Sequence, residues 1–307
     1  MTKGVALRRN ILLFHQGALG DFIVTWPLAL GLGRVLAQSR IFYITTGQKG
    51  ALAERALRVE SADVESGWHQ LFSQEPNLPD AAMRLLNGAQ WIIGFGTKLD
   101  DLWSQNVRKL APEANLIPLS TTPPDNFAGH ITEYLLQQLA PWPVMSAAMD
   151  QMLKSLAARG LGSTTSDPEG PVVLHPGAGA NKKCWPPDQY LELARAIKQS
   201  GRCVRVILGE VELEKWPKAQ IDAFSEVAEI LKPAKLVDLM SHLSRASAFV
   251  GNDSGPGHLA ALLPIPTISL FGPANPARWR PTGPNVQIVQ GAWDSITPTQ
   301  VLQLLPD

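Results

Sequence analysis

The sequence predicts an α/β protein built from two doubly wound domains. Compact apolar runs such as 11–15 ("ILLFH") alternate along the chain with stretches of helical periodicity. Each run is continuously apolar, which is typical of parallel strands covered by helices on both faces. A segment rich in Gly, Ser, Thr and Pro, residues 160–171, separates two such series. We interpret it as the linker between two domains.

In the first half, the strand at 11–15 leads through a glycine loop into a helix from Asp21 to about Gln38. Further strands are predicted at 41–46 and 91–96, whereas the rest of 60–130 has no clear pattern.

The second half has more regular signals. A strand at 172–179 enters a glycine loop, and residues 188–201 form a helix with one apolar face. A strand follows at 203–209. The remaining elements are a helix at 236–246, a strand at 248–251, a helix at 258–263, a strand at 267–272 and a helix that begins at Thr297 with Pro298 in its first turn.

Composition excludes several classes of protein. Lys plus Arg and Asp plus Glu balance at 27 each, so no overall basic field points to nucleic acid as a partner. The two cysteines, Cys184 and Cys203, form no CxxC pair and fit a reducing compartment. No run of about 18 apolar residues predicts a membrane-spanning helix, and the apolar run near the start is too short for a signal peptide.

In doubly wound sheets, ligands bind outside the carboxyl ends of the strands. One loop at such an end is "GNDSGPGHLAALL", residues 251–263. Asp253 and Ser254 are N-cap candidates for the helix that follows, and the free N–H groups at a helix start suit a phosphate. His258 lies in the same first turn. The alternative, a capped turn that binds nothing, is equally compatible with the spacing.

The loop "HPGAGANKK", residues 175–183, places Lys182 and Lys183 after a strand, where one lysine can neutralise a phosphate. It matches neither the P-loop nor the GxGxxG pattern, and two solvated lysines are the alternative. Glu212 and Glu214 follow the next strand and are candidates to hold ribose hydroxyls, or else belong to a solvated helix start.

Asp21 comes directly after the glycine loop "HQGALG" at a helix start. It is either an ordinary helix cap or a general base, which needs a carboxylate within hydrogen-bond reach of a hydroxyl.

Taken together and in this order, the loops resemble the glycosyltransferase family 9 heptosyltransferases. The resemblance rests on "GALGDFIVTWPLAL" (17–30), "HPGAGANKKCWPPDQYLELA" (175–194) and "LSRASAFVGNDSGPGHLAALLPIPTISLFGPANP" (243–276). It covers the second half well and the first half mainly at residues 11–30.

The resemblance implies the GT-B architecture, in which two Rossmann-like domains face each other across a cleft. Residues 1–163 would bind the acceptor, 164–295 the nucleotide-sugar donor, and 296–307 would form a helix that crosses back to the first domain. It also implies inverting, metal-independent transfer of heptose from ADP-heptose to the lipopolysaccharide inner core. No cofactor is expected beyond the nucleotide-sugar donor.

By the same resemblance Asp21 matches the general base and Lys183 the lysine that contacts the donor phosphates. The expected donor-binding set comprises Gly177, Ala178, Lys183, Glu212, Glu214, Asp253, Ser254, Gly255, Pro256, Gly257 and His258. No acceptor residue is assigned, because 60–130 lacks the dense basic set that a phosphorylated acceptor would require.

Other functions remain open at this point. A sugar-nucleotide epimerase of the same architecture would act on the donor alone, and a nucleotide-sugar-binding protein would lack turnover. A nicotinamide oxidoreductase is disfavoured by the missing GxGxxG. The acceptor class implies a cytoplasmic protein in peripheral contact with the inner membrane, with no nucleic-acid partner.

Overall fold

The computed structural model describes residues 9–162 and 167–306 and divides them into two compact units. The first unit comprises the described residues up to Phe127 together with Ile131–Met152. The second comprises Ala128–His130 and the described residues from Leu153 onward. Each is an α/β unit with one parallel sheet, so the prediction of two doubly wound domains is confirmed.

The sheet of the first unit has five parallel strands in its described part, in the order β3-β2-β1-β4-β5. They are β1 (Asn10–His15), β2 (Arg40–Thr45), β3 (Glu60–Asp63), β4 (Ala89–Phe95) and β5 (Asn115–Leu119). The helices around them are α1 (Leu19–Val24), α2 (Trp26–Val35), α3 (Gly47–Leu57), α4 (Asp80–Asn87), α5 (Leu102–Leu110), α6 (Ile131–Gln138) and α7 (Pro143–Arg159), which continues into the second unit.

The described part of the second unit has six parallel strands in the order β11-β10-β9-β6-β7-β8. They are β6 (Val172–His175), β7 (Val204–Ile207), β8 (Glu229–Leu231), β9 (Ala248–Asn252), β10 (Thr267–Phe271) and β11 (Val286–Gln290). The helices are α8 (Pro187–Gln199), α9 (Glu210–Lys215), α10 (Lys218–Ser225), α11 (Leu236–Leu243), α12 (Gly255–Leu262), α13 (Pro276–Trp279) and α14 (Pro298–Leu302).

The central strands are buried along their whole length, as their apolar sequences require. All six residues of β1 are buried, and Phe14 presents its ring edge-on to Trp68 and Trp103, with centroids 5.4 and 5.1 Å away. Burying one such large apolar side chain stabilises the fold by roughly 1.5–3 kcal/mol. The apolar runs therefore fix which strands lie at the centre of each sheet.

The strand orders define one switch point in each sheet. In the first unit the chain winds outward from β1 to β2 and β3, and then returns to the other side of β1 with β4. In the second it winds from β6 to β8 and returns beside β6 with β9. At such a point the loops leaving the two adjacent strands diverge and open a crevice, where open α/β sheets bind their ligands.

The domain limits differ from those predicted. The two units separate between Met152 and Leu153, inside α7, whereas the predicted limit at 163/164 lies outside the described residues. The structure also groups residues 296–306 with the second unit. There α14 packs on α8, with Val301 fully buried in that unit's core. The apolar face of α14 thus packs within the second unit, and the crossing of residues 296–307 to the first domain stays a prediction.

Candidate functional site

The second unit brings two of the predicted loops together at its switch point. His175 ends β6 and Asn252 ends β9, and the two strands are neighbours in the sheet. The loops "HPGAGANKK" and "NDSGPGH" therefore leave the same edge of the sheet side by side.

Asn252 ties these loops to each other. Its fully buried side chain accepts a hydrogen bond from the backbone N–H of Trp185 at 3.0 Å. Its amide nitrogen donates to the carbonyl of Pro176 at 2.8 Å. Asn252 was not predicted as a site residue, although an amide residue at a strand end that leads into a glycine loop is the signal that marks it.

Lys183 and Asp253 form an ion pair between the two loops. The Lys183 Nζ lies 2.6 Å from Asp253 Oδ2. The Asp253 side chain is 7% exposed and that of Lys183 is 34% exposed, so the lysine keeps a solvent-facing side. Lys183 is thus held by Asp253 while remaining open to a ligand, and Lys182 beside it is exposed.

Helix α12 begins next to this ion pair, and its first turn has no capping side chain among the described residues. Ser254 takes the N-cap position with extended backbone, φ −155° and ψ 161°. Its hydroxyl lies 3.3 Å from His175 Nδ1, and no described side chain caps the helix. Of the two cap candidates, only Ser254 occupies the N-cap position, and Asp253 instead pairs with Lys183. The N–H groups in the first turn of α12 therefore have no capping side chain among the described residues, as an anion site requires.

His258 completes this first turn as a buried, neutral imidazole. Burial lowers its pKa to about 4; Asp253 opposes the shift, while His130 and Lys183 add to it. Burial likewise lowers the pKa of His175 to about 4. Both rings are neutral near pH 7, so neither adds a positive charge to that of Lys183.

Of the two acidic candidates, Glu212 is the one that reaches the site. It is buried, its Oε2 accepts a hydrogen bond from Gly209 N–H at 2.9 Å, and its carboxylate packs against Gly177 so closely that a Cβ there would collide with it. Glu214 is exposed on the same helix. Gly177 thus has to be glycine for Glu212 to lie against the loop, whose next residue, Ala178, is half-buried.

Two tryptophans brace the segment that carries Lys183. This segment, Asn181–Lys183, is a single 3₁₀ turn. Trp293 Nε1 donates to the carbonyl of Lys182 at 3.0 Å, and Trp185 Nε1 donates to the carbonyl of Ile296 at 3.1 Å. Trp293 was not predictable from the sequence, since it lies 111 residues from Lys182, to which it donates.

The first unit has its own crevice at the β1/β4 switch point, a cavity of about 290 Å³. Asp21 lies beside it. A Cβ built on the cavity-lining Gly17 would come 3.6 Å from the Cβ of Asp21. Asp21 is half-buried at the third position of α1, whose N-cap is Ala18, so it is not the N-cap residue.

Lys49 interacts with three residues at this crevice: Gly17, Asp21 and His15. Its Nζ donates to the carbonyl of Gly17 at 2.7 Å. Burial lowers the pKa of Lys49 while Asp21 acts in the opposite direction, and burial together with Lys49 lowers the pKa of His15 to about 3. No sequence pattern had marked Lys49.

Two further features of residues 9–162 and 167–306 concern metal ions and membranes. In these ranges no three His, Cys, Asp or Glu side chains gather where they would hold a metal ion. Nor does any helix there combine the length and apolar character that crossing a bilayer requires.

Comparison with known proteins agrees with the fold and the motifs. The model of "Glycosyltransferase family 9 (heptosyltransferase)" matches residues 135–302, more than half of the chain.

Among curated proteins, lipopolysaccharide heptosyltransferase 1 of Pseudomonas aeruginosa is 39% identical over 113 residues, which are 36% of this chain and 31% of that protein. Lipopolysaccharide heptosyltransferase 3 of Escherichia coli is 28% identical over 206 residues, 62% of this chain and 54% of that protein. The chain thus spans from about a third to just over half of these relatives.

Solved structures share the fold over nearly the whole chain. The Escherichia coli ADP-heptose lipopolysaccharide heptosyltransferase II superposes with a TM-score of 0.70 at 19% identity, covering 96% of this chain and 97% of that one. Heptosyltransferase WaaC of the same organism, solved with ADP, gives 0.67 at 16% identity and covers 96% and 98%. With the family model matched across most of its second unit and the loops of both switch points in place, this chain belongs to glycosyltransferase family 9.

Proposed function

We propose that this protein is an inverting glycosyltransferase that moves heptose from ADP-heptose to a sugar of the lipopolysaccharide core. The acceptor class would bring it into peripheral contact with the cytoplasmic face of the inner membrane. Support comes from the family and from the names of its relatives, which are lipopolysaccharide heptosyltransferases. A WaaC structure also carries ADP-2-deoxy-2-fluoro heptose.

The single observation that carries this proposal is the cluster at the β6/β9 switch point. Lys183, the first-turn N–H groups of α12 and His258 surround a position suited to a diphosphate. As the bond to the sugar breaks, negative charge grows on the leaving diphosphate, and fixed donors stabilise it. One such donor contributes roughly 2.7–4 kcal/mol in other enzymes. Two or three donors would therefore supply transition-state stabilisation that a metal ion provides in other enzymes. Glu212 is suited to accept hydrogen bonds from the ribose hydroxyls.

Asp21 takes the acceptor proton in this proposal. It is half-buried beside the first unit's cavity, with Lys49 nearby to favour its ionised form. The acceptor hydroxyl loses its proton to Asp21 as its oxygen attacks the anomeric carbon. The bond to the diphosphate breaks on the opposite side of that carbon, so the configuration inverts.

Asp21→Asn tests this role. The variant keeps the shape of the side chain but cannot take a proton, so we expect heptosyl transfer to fall by about 10²–10⁴-fold. ADP binds to the second unit and its affinity should be unchanged. Transfer is measured with radiolabelled ADP-heptose, and ADP affinity by calorimetry.

Asp100→Asn is the matched control, because Asp100 is an exposed aspartate of the same unit. It should leave both quantities unchanged. If Asp21→Asn weakened ADP binding as much as transfer, Asp21 would be structural and not the base. The same assay in excess EDTA checks the metal-independent step, and a loss of transfer restored by a divalent ion would refute that part.

A further inference from the structure

The cavity of the first unit has a composition that bears on the acceptor. It lies at the β1/β4 switch point, lined by the strand ends His15 and Phe95 and by Thr121 beyond β5. Its volume, about 290 Å³, is at the small end of ligand sites. It therefore suits one ring-sized group rather than a longer oligosaccharide.

Aromatic and hydroxyl-bearing residues make up most of the lining. Phe14, Phe72 and Phe95 supply rings, and Phe72 is 46% exposed although it is a large apolar side chain. Thr97 and Thr121 supply hydroxyls. The Thr97 hydroxyl already donates to the carbonyl of Gly94 at 2.9 Å, which leaves its oxygen as an acceptor.

No residue that lines this cavity carries a charge near pH 7. Apart from the phenylalanines and threonines, the lining consists of His15, Gln16 and two glycines. His15 is neutral because burial and Lys49 lower its pKa to about 3. Its buried Nδ1 has no hydrogen-bond partner among the described residues, so a hydrogen-bonding position remains for a ligand.

Lys49 is the cation that acts on His15, but it is not among the residues that line the cavity. It is buried, its Nζ donates to the carbonyl of Gly17 at 2.7 Å, and it lies 5.9 Å from the centre of the Phe22 ring. Asp21 interacts with it with opposite charge. The cavity thus lacks the exposed Lys or Arg fork that a phosphate or carboxylate needs.

We propose that this cavity binds an uncharged, hydroxylated sugar ring of the acceptor, stacked on Phe72 and hydrogen-bonded by Thr97 and His15. The inference rests on the proposed function, and it specifies the acceptor as a neutral sugar. A sugar with a phosphate or carboxylate on the ring that attacks would lose the hydration of its charge without gaining a partner.

The test uses the full chain and compares neutral sugar probes with charged derivatives of the same sugars. Methyl glucoside, galactoside and mannoside are each compared with the form phosphorylated at the primary hydroxyl and with the corresponding uronide. Binding is followed by saturation-transfer NMR and titration. We expect at least one neutral glycoside to bind saturably, and its two charged forms to bind about tenfold more weakly or worse.

Two variants locate the binding and reverse its preference. Phe72→Ala should weaken binding of the neutral glycoside by about three- to tenfold. Leu99 is also an exposed apolar residue of the same unit, and Leu99→Ala should leave this binding unchanged. Thr121→Lys places a cation at the half-buried edge of the cavity and should raise the affinity of the uronide relative to the neutral form severalfold.

Several results would overturn the inference. These are tighter binding of a phosphorylated or uronic form by the wild-type protein, no saturable binding of any neutral glycoside, or neutral binding that Phe72→Ala leaves unchanged. ADP affinity is measured in parallel. If the wild-type protein binds ADP but prefers the charged sugars, only the inference of a neutral acceptor is rejected. If it does not bind ADP, the result counts against the proposed function.

Discussion

At the scale of residues, the ion pair with Asp253 orients Lys183 for anion binding. A lysine on a short turn samples many rotamers, and holding it still costs conformational entropy. The buried Asp253 carboxylate, 2.6 Å from the Lys183 Nζ, holds the ammonium group at the residue that directly precedes the N-cap of α12. The pair therefore positions the lysine, while the amides of α12 supply further positive potential.

Lys183→Ala should weaken ADP binding by about ten- to a hundredfold, because one charge-assisted contact to the diphosphate is lost. It should also lower the free energy of unfolding by about 1–3 kcal/mol, since it leaves the Asp253 carboxylate buried and unpaired. Both quantities are measured on the same preparation, by calorimetry and by denaturant unfolding.

Two further variants separate binding from stability. Adding Asp253→Asn to Lys183→Ala removes the unpaired charge, so stability should recover while ADP affinity stays low. Lys182→Ala is the matched control and should change neither, because its side chain is exposed. ADP affinity that recovers together with stability would show that Lys183 acts only through the fold.

The residues of this site were predictable from the sequence only where a local motif marked them. Lys183 and the glycines of α12 stood out because each sits in a loop that follows a strand. The pairing of Lys183 with Asp253 was not predictable, since 70 residues separate them and only the neighbouring positions of β6 and β9 bring them together. Glu212 and Glu214 could not be told apart until the helix phase placed one inward and the other in solvent.

At the scale of elements, the turn Asn181–Lys183 is too short to be stable by itself. A single turn of three residues forms few hydrogen bonds of its own and depends on its neighbours. Trp293 provides one such support through its bond to the Lys182 carbonyl, and its indole packs against Gly272 so closely that any side chain there would collide with it. Trp293 is therefore a positioning residue for Lys183.

Trp293→Phe keeps a ring in place but removes the donor. Losing one hydrogen bond of about 1 kcal/mol should weaken ADP binding by about threefold to tenfold with little change in melting temperature. In the Lys183→Ala background the same substitution should have no further effect on ADP affinity. Calorimetric titration of the single and double variants measures this coupling.

Trp279→Phe is the matched control, being a half-buried tryptophan of the same unit on α13. It should leave ADP affinity unchanged. An equal loss of affinity in the wild-type and Lys183→Ala backgrounds would mean that Trp293 contributes to binding by another route.

Among elements, the apolar central strands were predicted well and the edge strands were not. Apolar runs predicted β1, β2, β4, β6, β9 and β10, and the structure confirms each. β3 has the sequence "ESAD" and no buried residue, so neither apolar content nor alternation marks it. It is a strand because it pairs with β2, a tertiary contact that no local pattern encodes.

At the scale of the molecule, the two units share one topological feature. Each parallel sheet reverses its winding once, and each crevice that results carries a set of candidate residues: Asp21 in the first unit, Lys183 and Asp253 in the second. The alternation of strands and helices predicted both sheets. It could not predict the limits of the units, because the division falls inside α7, where no composition change marks it.

Buried histidines make the stability of both units depend on pH. His175 and His258 in the second unit have pKa values lowered to about 4, and His15 in the first to about 3, from 6.5. Between these values and 6.5 the unfolded chain binds protons that the folded chain excludes. Stability therefore falls as pH drops below 6.5, and above 6.5 these groups contribute no slope.

Lowering the pH from about 7 to about 5 should destabilise the second unit by roughly 2 kcal/mol for each of His175 and His258. His258→Gln cannot take up a proton, so its melting temperature should vary less with pH than that of the wild type. The exposed His69→Gln should keep the wild-type slope. Melting curves across this range measure the difference, and equal slopes for His258→Gln and wild type would show that His258 titrates alike in the folded and unfolded chains.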